Sequence, residues 1–218
     1  MLALKVTVPV ACFRKGFARE FWETEELPPP STCYGFLLSL VGECDRRRHV
    51  GVRIAPALLP RPGRDGKPAW PERSAVLRTL WRVKKLPLGS PGNTRPDYQE
   101  LLTNVRLALW LDSSEETTDG PTLEERVGIA LDHPEQIDRF GGLSLGESTH
   151  MVDEVTRLKP GESGPARAYL LNAQGRLSLP VWVDHVGAMG TRYANGELTS
   201  LDVSANPTRA EMPRIDPS

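Results

Sequence analysis

The stretch that most constrains this chain is LPPPSTCYGFLLSLVG, residues 27–42. Three consecutive prolines, Pro28, Pro29 and Pro30, lack the N–H donors of a β-ladder and cannot sit inside a helix. They deliver the chain stiffly into the next segment. That segment opens with Ser31 and Thr32, both good helix N-cap residues, and continues as an apolar run that closes at Gly42. It reads as a helix buried on a broad face and capped at Ser31 or Thr32. Upstream, Leu4, Val6, Val8 and Val10 alternate with other residues as one face of a strand over residues 2–10. The chain therefore opens as strand, polar and aromatic loop, helix.

Residues 50–59 read as a second strand. RPGRDGKP is a turn rich in Gly, Pro and charge. Over residues 74–85, Val76, Arg78, Leu80, Arg82 and Lys84 alternate with Leu77, Thr79, Trp81 and Val83. After LPLGSPGNTRP the chain returns along residues 98–111, so the two segments predict a long hairpin projecting from the core. TLEERVGIALDHP is an amphipathic helix: Thr122 and Glu125 form a capping box, and Leu123, Val127 and Leu131 make the buried stripe. A glycine loop leads to another strand near HMVDEVTRL. The order is strand, helix, strand, hairpin, strand, helix, strand. This predicts an α+β fold with a ferredoxin-like or RRM-like βαββαβ core over residues 1–160, carrying the hairpin insertion at about 60–104. AYLL, QGRLSLPVWVD and GELTSLDV predict a small β extension over 161–203, and residues 204–218 are expected to be a flexible tail.

Charge sums to almost nothing over the 218 residues, with 27 Lys+Arg against 28 Asp+Glu, but it is segregated. From Arg46 to Arg95 thirteen basic residues face only Asp65 and Glu72; from Asp112 to Asp138 nine acidic residues face Arg126. A basic half beside an acidic half fits a protein that holds a polyanion on one side. Cys12, Cys33 and Cys44 show no CxxC spacing, which reads as reduced thiols of a cytoplasmic protein with no metal site and no cofactor. No run approaches a membrane span.

GGLSLGEST, residues 141–149, is the candidate phosphate loop. Gly141 and Gly146 have the Walker A spacing, but Glu147 stands where the lysine belongs, and a carboxylate there repels phosphate. That disfavours nucleotide hydrolysis. It leaves either a nest of N–H groups opened by Gly141, Gly142 and Gly146, with hydroxyls at Ser144, Ser148 and Thr149, or a tight connection between helix and strand. Tyr34, His49, His133 and His150 are the candidates for acid–base chemistry, and no pair has a spacing that implies a site. Trp81, on the basic hairpin, is the stacking candidate; Trp110, in an apolar run, is expected in the core.

VPVACFRKGFAREFW, LPPPSTCYGFLLSLVGE and FGGLSLGESTHMVDEV together resemble the fifth family of CRISPR-associated proteins, over about the first three quarters of the chain. The resemblance implies a RAMP-superfamily subunit of type I Cascade that caps the 5′ handle of the guide RNA (CRISPR RNA). Its hairpin would be the thumb, folded over the guide against the adjacent backbone subunit. On the same resemblance the large subunit would dock nearby and target DNA would be engaged indirectly. On this resemblance Arg14, Lys15, Arg19 and Tyr34 would meet RNA from the N-terminal region. Ser31 and Thr32 serve either as caps or beside an anion, and Arg78, Trp81, Arg82, Lys84 and Lys85 grip from the thumb. The loop, including His150, would hold backbone or bases. One branch of the family cleaves precursor guide RNA, so a metal-independent endoribonuclease is the alternative; the expectation here is a non-catalytic subunit.

Overall fold

The computed structural model describes residues 1–16, 18, 21–63, 65–81, 86, 87 and 89–218, and at Leu80, Trp81 and Arg95 the backbone alone. In chain order it contains β1 (Leu2–Ala11), β2 (Phe21–Trp22), α1 (Pro30–Leu40), β3 (Arg53–Leu58), β4 (Arg61–Pro62), β5 (Pro68–Ala69), β6 (Glu72–Trp81), β7 (Thr94–Asp112), α2 (Leu123–Asp132), β8 (Glu154–Arg157), β9 (Pro165–Leu171), β10 (Leu177–Trp182) and β11 (Arg192–Asp202). One large sheet runs β10-β11-β9-β3-β7-β1-β8, with β2 and β6 also paired to β7. Every pairing in it is antiparallel except the two-residue β2 alongside β7. No described helix is long and apolar enough to cross a membrane.

The alternation in β1 works as expected: Leu4, Val6 and Val8 are buried, while Val10 is only partly so. β7 carries the continuous apolar run LALWL because both of its faces are covered. Leu107, Leu109 and Leu111 point to the side occupied by α1 and α2, with Leu37, Leu123 and Val127. Ala108 and Trp110 point to the other side, with Ala55, Ala57, Val203 and Met212. Trp110 is fully buried, and its indole N–H donates to Asn206 Oδ1 at 2.9 Å. β6 and the first part of β7 form the hairpin, in register from Glu72 opposite Thr103 to Trp81 opposite Thr94. β9, β10 and β11 continue the same sheet, and Tyr169, Leu179 and Trp182 belong to the same core as Leu4 and Leu37.

Two local expectations need correction. Neither Ser31 nor Thr32 caps α1: the N-cap is Pro29, with no side-chain capping bond. Pro30 takes the first helical position, where its fixed φ fits and its missing N–H costs nothing. The main-chain N–H groups of Thr32 and Cys33 donate to Pro29 O at 2.9 and 3.0 Å, so the backbone closes the first turn without either hydroxyl. α2, by contrast, has the expected capping box at Thr122 and Glu125. The second correction is the C-terminal tail, which is docked. Ile54 N–H donates to Pro213 O at 2.9 Å and Ile215 N–H to Val52 O at 2.8 Å, extending the ladder beside β3. Met212 and Ile215 are fully buried. Isolated apolar residues among prolines and charges conceal this in the sequence.

Candidate nucleic-acid interface

A groove of about 910 Å³ opens where the end of β1, the start of α1, the glycine loop, β6 and the β10–β11 loop meet. Of the sequence candidates, Arg14, Lys15, Ser31, Thr32, Arg78, Gly146 and Ser148 line it together. A second hollow of about 370 Å³ shares Ser31, Thr32 and Gly146 with it and adds Tyr34 and Ser144. Gly141, Gly142 and Thr149 line neither. Arg19, Arg82, Lys84, Lys85 and the Trp81 side chain lie outside the described residues.

The glycine loop is a tight reversal closed by the Ser144–Met151 bridge. Leu145 N–H donates to His150 O at 3.0 Å and His150 N–H to Glu147 O at 2.9 Å. The His150 ring is buried and its Nδ1 accepts two main-chain N–H groups, from Cys12 at 3.1 Å and Glu147 at 3.2 Å. Accepting at Nδ1 requires an unprotonated nitrogen. Consistently, burial, assisted by the Arg78 charge, holds the imidazole below its ordinary pKa, against the pull of Glu147. His150 thus pins the loop to the end of β1. Gly146, at φ +101°, passes so close to Cys12 that a Cβ would lie 2.7 Å from its carbonyl oxygen. Three of the loop's N–H groups are therefore used internally, and Gly146, Glu147 and Ser148 are what it offers to the groove.

Glu147, expected to repel phosphate, is already paired. Its Oε2 accepts from Arg78 Nη1 at 3.0 Å and its Oε1 from Gln99 Nε2 at 2.8 Å, while Arg78 also donates to Gln99 Oε1. Trp22 lies under two guanidinium groups, with Arg14 at 4.4 Å and Arg78 at 5.3 Å from its ring centroid. Lys15 faces Glu23 at 3.4 Å, and Arg14 donates to Ala18 O at 2.7 Å. The Ser31 hydroxyl oxygen is buried between the two hollows with no hydrogen-bond partner among the described residues.

Tyr34 and His49, like His150, are occupied inside the protein. Tyr34 donates its hydroxyl to Arg46 O at 2.8 Å and packs against Trp182, and burial raises its phenol. His49 is fully buried, bonded through Nδ1 to Glu116 and through Nε2 to Arg126 at 2.8 Å. Glu116 in turn accepts the Leu123 N–H at the start of α2 at 2.9 Å. His133 sits on the surface beside Glu135.

The charge halves read in the sequence are partly cancelled in space. Antiparallel pairing sets Arg53 opposite Asp112, and Arg53 binds Glu115 at 3.0 Å. Asp112 takes Arg209 at 3.4 Å, Arg48 takes Glu43 at 3.1 Å, and Arg73 takes Glu100 at 3.1 Å. Sequence reading also missed the β10–β11 loop. There Asp184 Oδ1 accepts the N–H groups of Val186 and Gly187, and Oδ2 that of Gly190. The loop closes the groove with Asp184, Ala188, Thr191 and Tyr193. Its only cue in the sequence is an Asp ahead of two nearby glycines, a turn signal that names no partner.

No protein-family model matches the chain. The fold is similar to that of a chain from a structure described as a CRISPR RNA-guided surveillance complex, at TM-score 0.56 and 14% identity over 96% of this chain and 95% of that one. It is also similar to a structure described as a Cas protein, at TM-score 0.50 and 14% identity over 93% and 94%. In sequence, the chain is 50% identical to the CRISPR-associated protein Cas5 of Myxococcus xanthus (strain DK1622), over 99% of this chain and 97% of that protein. At that identity over nearly the whole of both chains, this protein belongs to the family of CRISPR-associated protein Cas5.

Proposed function

We propose that this chain is a non-catalytic, guide-RNA-binding subunit of a Cascade-type CRISPR effector, holding the 5′ handle of the CRISPR RNA in the groove between β1, α1, the glycine loop and the hairpin. One observation carries the reading. Segments far apart in the chain, at residues 14–15, 31–32, 78 and 146–148, supply cations, hydroxyls and close main-chain approach to one groove. These are the groups that fix the register of a nucleic-acid backbone. The two cations over Trp22 add donors of the right kind. The run β1-α1-β3-β7-α2-β8, laid side by side as β8-β1-β7-β3, is the ferredoxin-like RAMP core in this reading. The β6–β7 hairpin is the thumb, which would contact the adjacent backbone subunit, with the large subunit nearby and target DNA engaged only through the guide. Engagement of Tyr34, His49 and His150 in internal bonds supports a role without cleavage by these three groups.

The test is binding of labelled handle RNA and of a scrambled RNA of equal length, at several salt concentrations. Handle RNA should bind more tightly, with a log–log salt slope of about −0.7 for each phosphate contacted. Replacing Arg14 and Lys15 with glutamate should weaken binding and flatten that slope. Equal affinity for the scrambled RNA would remove the handle-capping role. Discrete products from precursor guide RNA incubated with the pure protein in EDTA would replace it with the endoribonuclease.

A further inference from the structure

We infer that Glu147 is the residue that sets which anions enter this groove: its carboxylate stands in for a phosphate on Arg78 and Gln99, and a guide phosphate binds there by displacing it. The inference rests on the RNA-binding reading above. Arg78 and Glu147 both line the groove and are only partly covered, about a third and a quarter exposed. Arg78 Nη1 and Gln99 Nε2 both donate to the Glu147 carboxylate, beside the face of Trp22. This is the arrangement of donors that suits an oxyanion, and a carboxylate of the same chain fills it.

The loop is built so that the carboxylate can leave. The Glu147 N–H is held by His150 Nδ1 and the Glu147 carbonyl accepts the His150 N–H at 2.9 Å. The main chain is thus fixed on both sides, and release of Arg78 needs only rotation of the Glu147 side chain. An incoming phosphate returns to Arg78 the bond that it loses, so a single small anion gains little by the exchange. A phosphodiester strand gains, because it reaches Arg14 and Lys15 in the same groove. Glu147 therefore selects a connected polyanion over isolated anions.

The experiment measures the affinity of labelled handle RNA for the wild-type chain and for Glu147→Gln, Glu147→Ala and Glu154→Gln. The last makes the same charge change on β8, outside the groove lining. Both Glu147 variants should bind about three- to fivefold more tightly, the range set by release of a partly exposed ion pair. Glu154→Gln should bind like wild type. If wild type binds and neither Glu147 variant binds more tightly, or Glu154→Gln tightens equally, the displacement inference is wrong and the RNA-binding reading stands. If no protein in the set binds RNA, both fall.

Discussion

Replacing Gly146 with alanine should destabilise the protein far more than replacing Gly141, although both glycines belong to one motif and both have positive φ. At Gly141, φ is +78° and a Cβ meets nothing within 4 Å. The cost is the left-handed backbone alone, about 1 kcal/mol. At Gly146, φ is +101° and the Cβ lies 2.7 Å from the carbonyl oxygen of Cys12. That oxygen cannot retreat freely, because the Cys12 N–H is bonded to His150 and the chain runs directly out of β1. Relief requires moving the loop and loosening the His150 bonds, and each buried donor left unpaired costs about 1–3 kcal/mol. The total is about 3 kcal/mol for Gly146→Ala. For a chain of this length each kcal/mol lowers Tm by roughly 2–4 °C. Thermal unfolding followed by circular dichroism should therefore show a fall of about 6–12 °C for Gly146→Ala and about 2–4 °C for Gly141→Ala. Equal shifts would refute the claim that the close approach to Cys12, and not backbone conformation, makes glycine necessary at 146.

Three further outcomes concern other parts of the molecule. Burial pushes the Glu43 carboxyl up, but hydrogen bonds from Arg126 and the Asp45 N–H outweigh it and hold the group at about 2; Glu116 is likewise lowered, by His49 and the Leu123 N–H. Since unfolded glutamates titrate near about 4.3, the unfolded chain takes the proton first, so this stability is present above about pH 4.5 and lost as pH falls toward 2. Glu43→Gln should flatten the Tm-versus-pH curve in that window and leave its shape above it unchanged. Deleting residues 205–218 removes fully buried Met212 and Ile215 and the Asn206 partner of Trp110; at about 1.5–3 kcal/mol for each apolar side chain, urea unfolding should show a loss above about 3 kcal/mol, and an unchanged midpoint would mean the tail is not docked. Asp184→Ala frees three N–H groups in the β10–β11 loop, so hydrogen exchange should rise over residues 186–190 while Tm moves by less than about 3 °C.

Where one local rule dominates, the sequence was readable. The period-2 pattern of β1 and the capping box of α2 each depend on near neighbours alone, and each is where the pattern puts it. α1 was legible as a helix and illegible at its first residue, because two rules compete there. Ser31 and Thr32 favour the cap, Pro30 favours the first helical position, and the rigid φ of proline wins. The tail failed for a different reason. Its order comes from a strand-like run beside β3 and from two apolar side chains spaced by Pro213 and Arg214, and no window of that composition shows a period.

The groove was legible as a set of residue types and illegible as an electrostatic surface. Runs of like charge in a sequence predict a surface of that sign only if the fold leaves them unpaired, and antiparallel neighbours bring distant runs side by side. That is how Arg53 comes to face Asp112 and Glu115; the glycine loop, folded back beside β6, likewise gives Arg78 a partner in Glu147, sixty-nine residues away. The geometry also separates two kinds of position that the motif GGLSLGEST runs together. Gly146 and His150 hold the loop to the end of β1 through main-chain contacts, so changes there should register as lost stability. Glu147 and Arg78 meet only through partly exposed side chains, so changes there should register as altered affinity at nearly constant Tm. A loop whose shape is fixed by backbone and whose charge is set by exchangeable side chains can keep its grip geometry while the partner it prefers is retuned by a single residue.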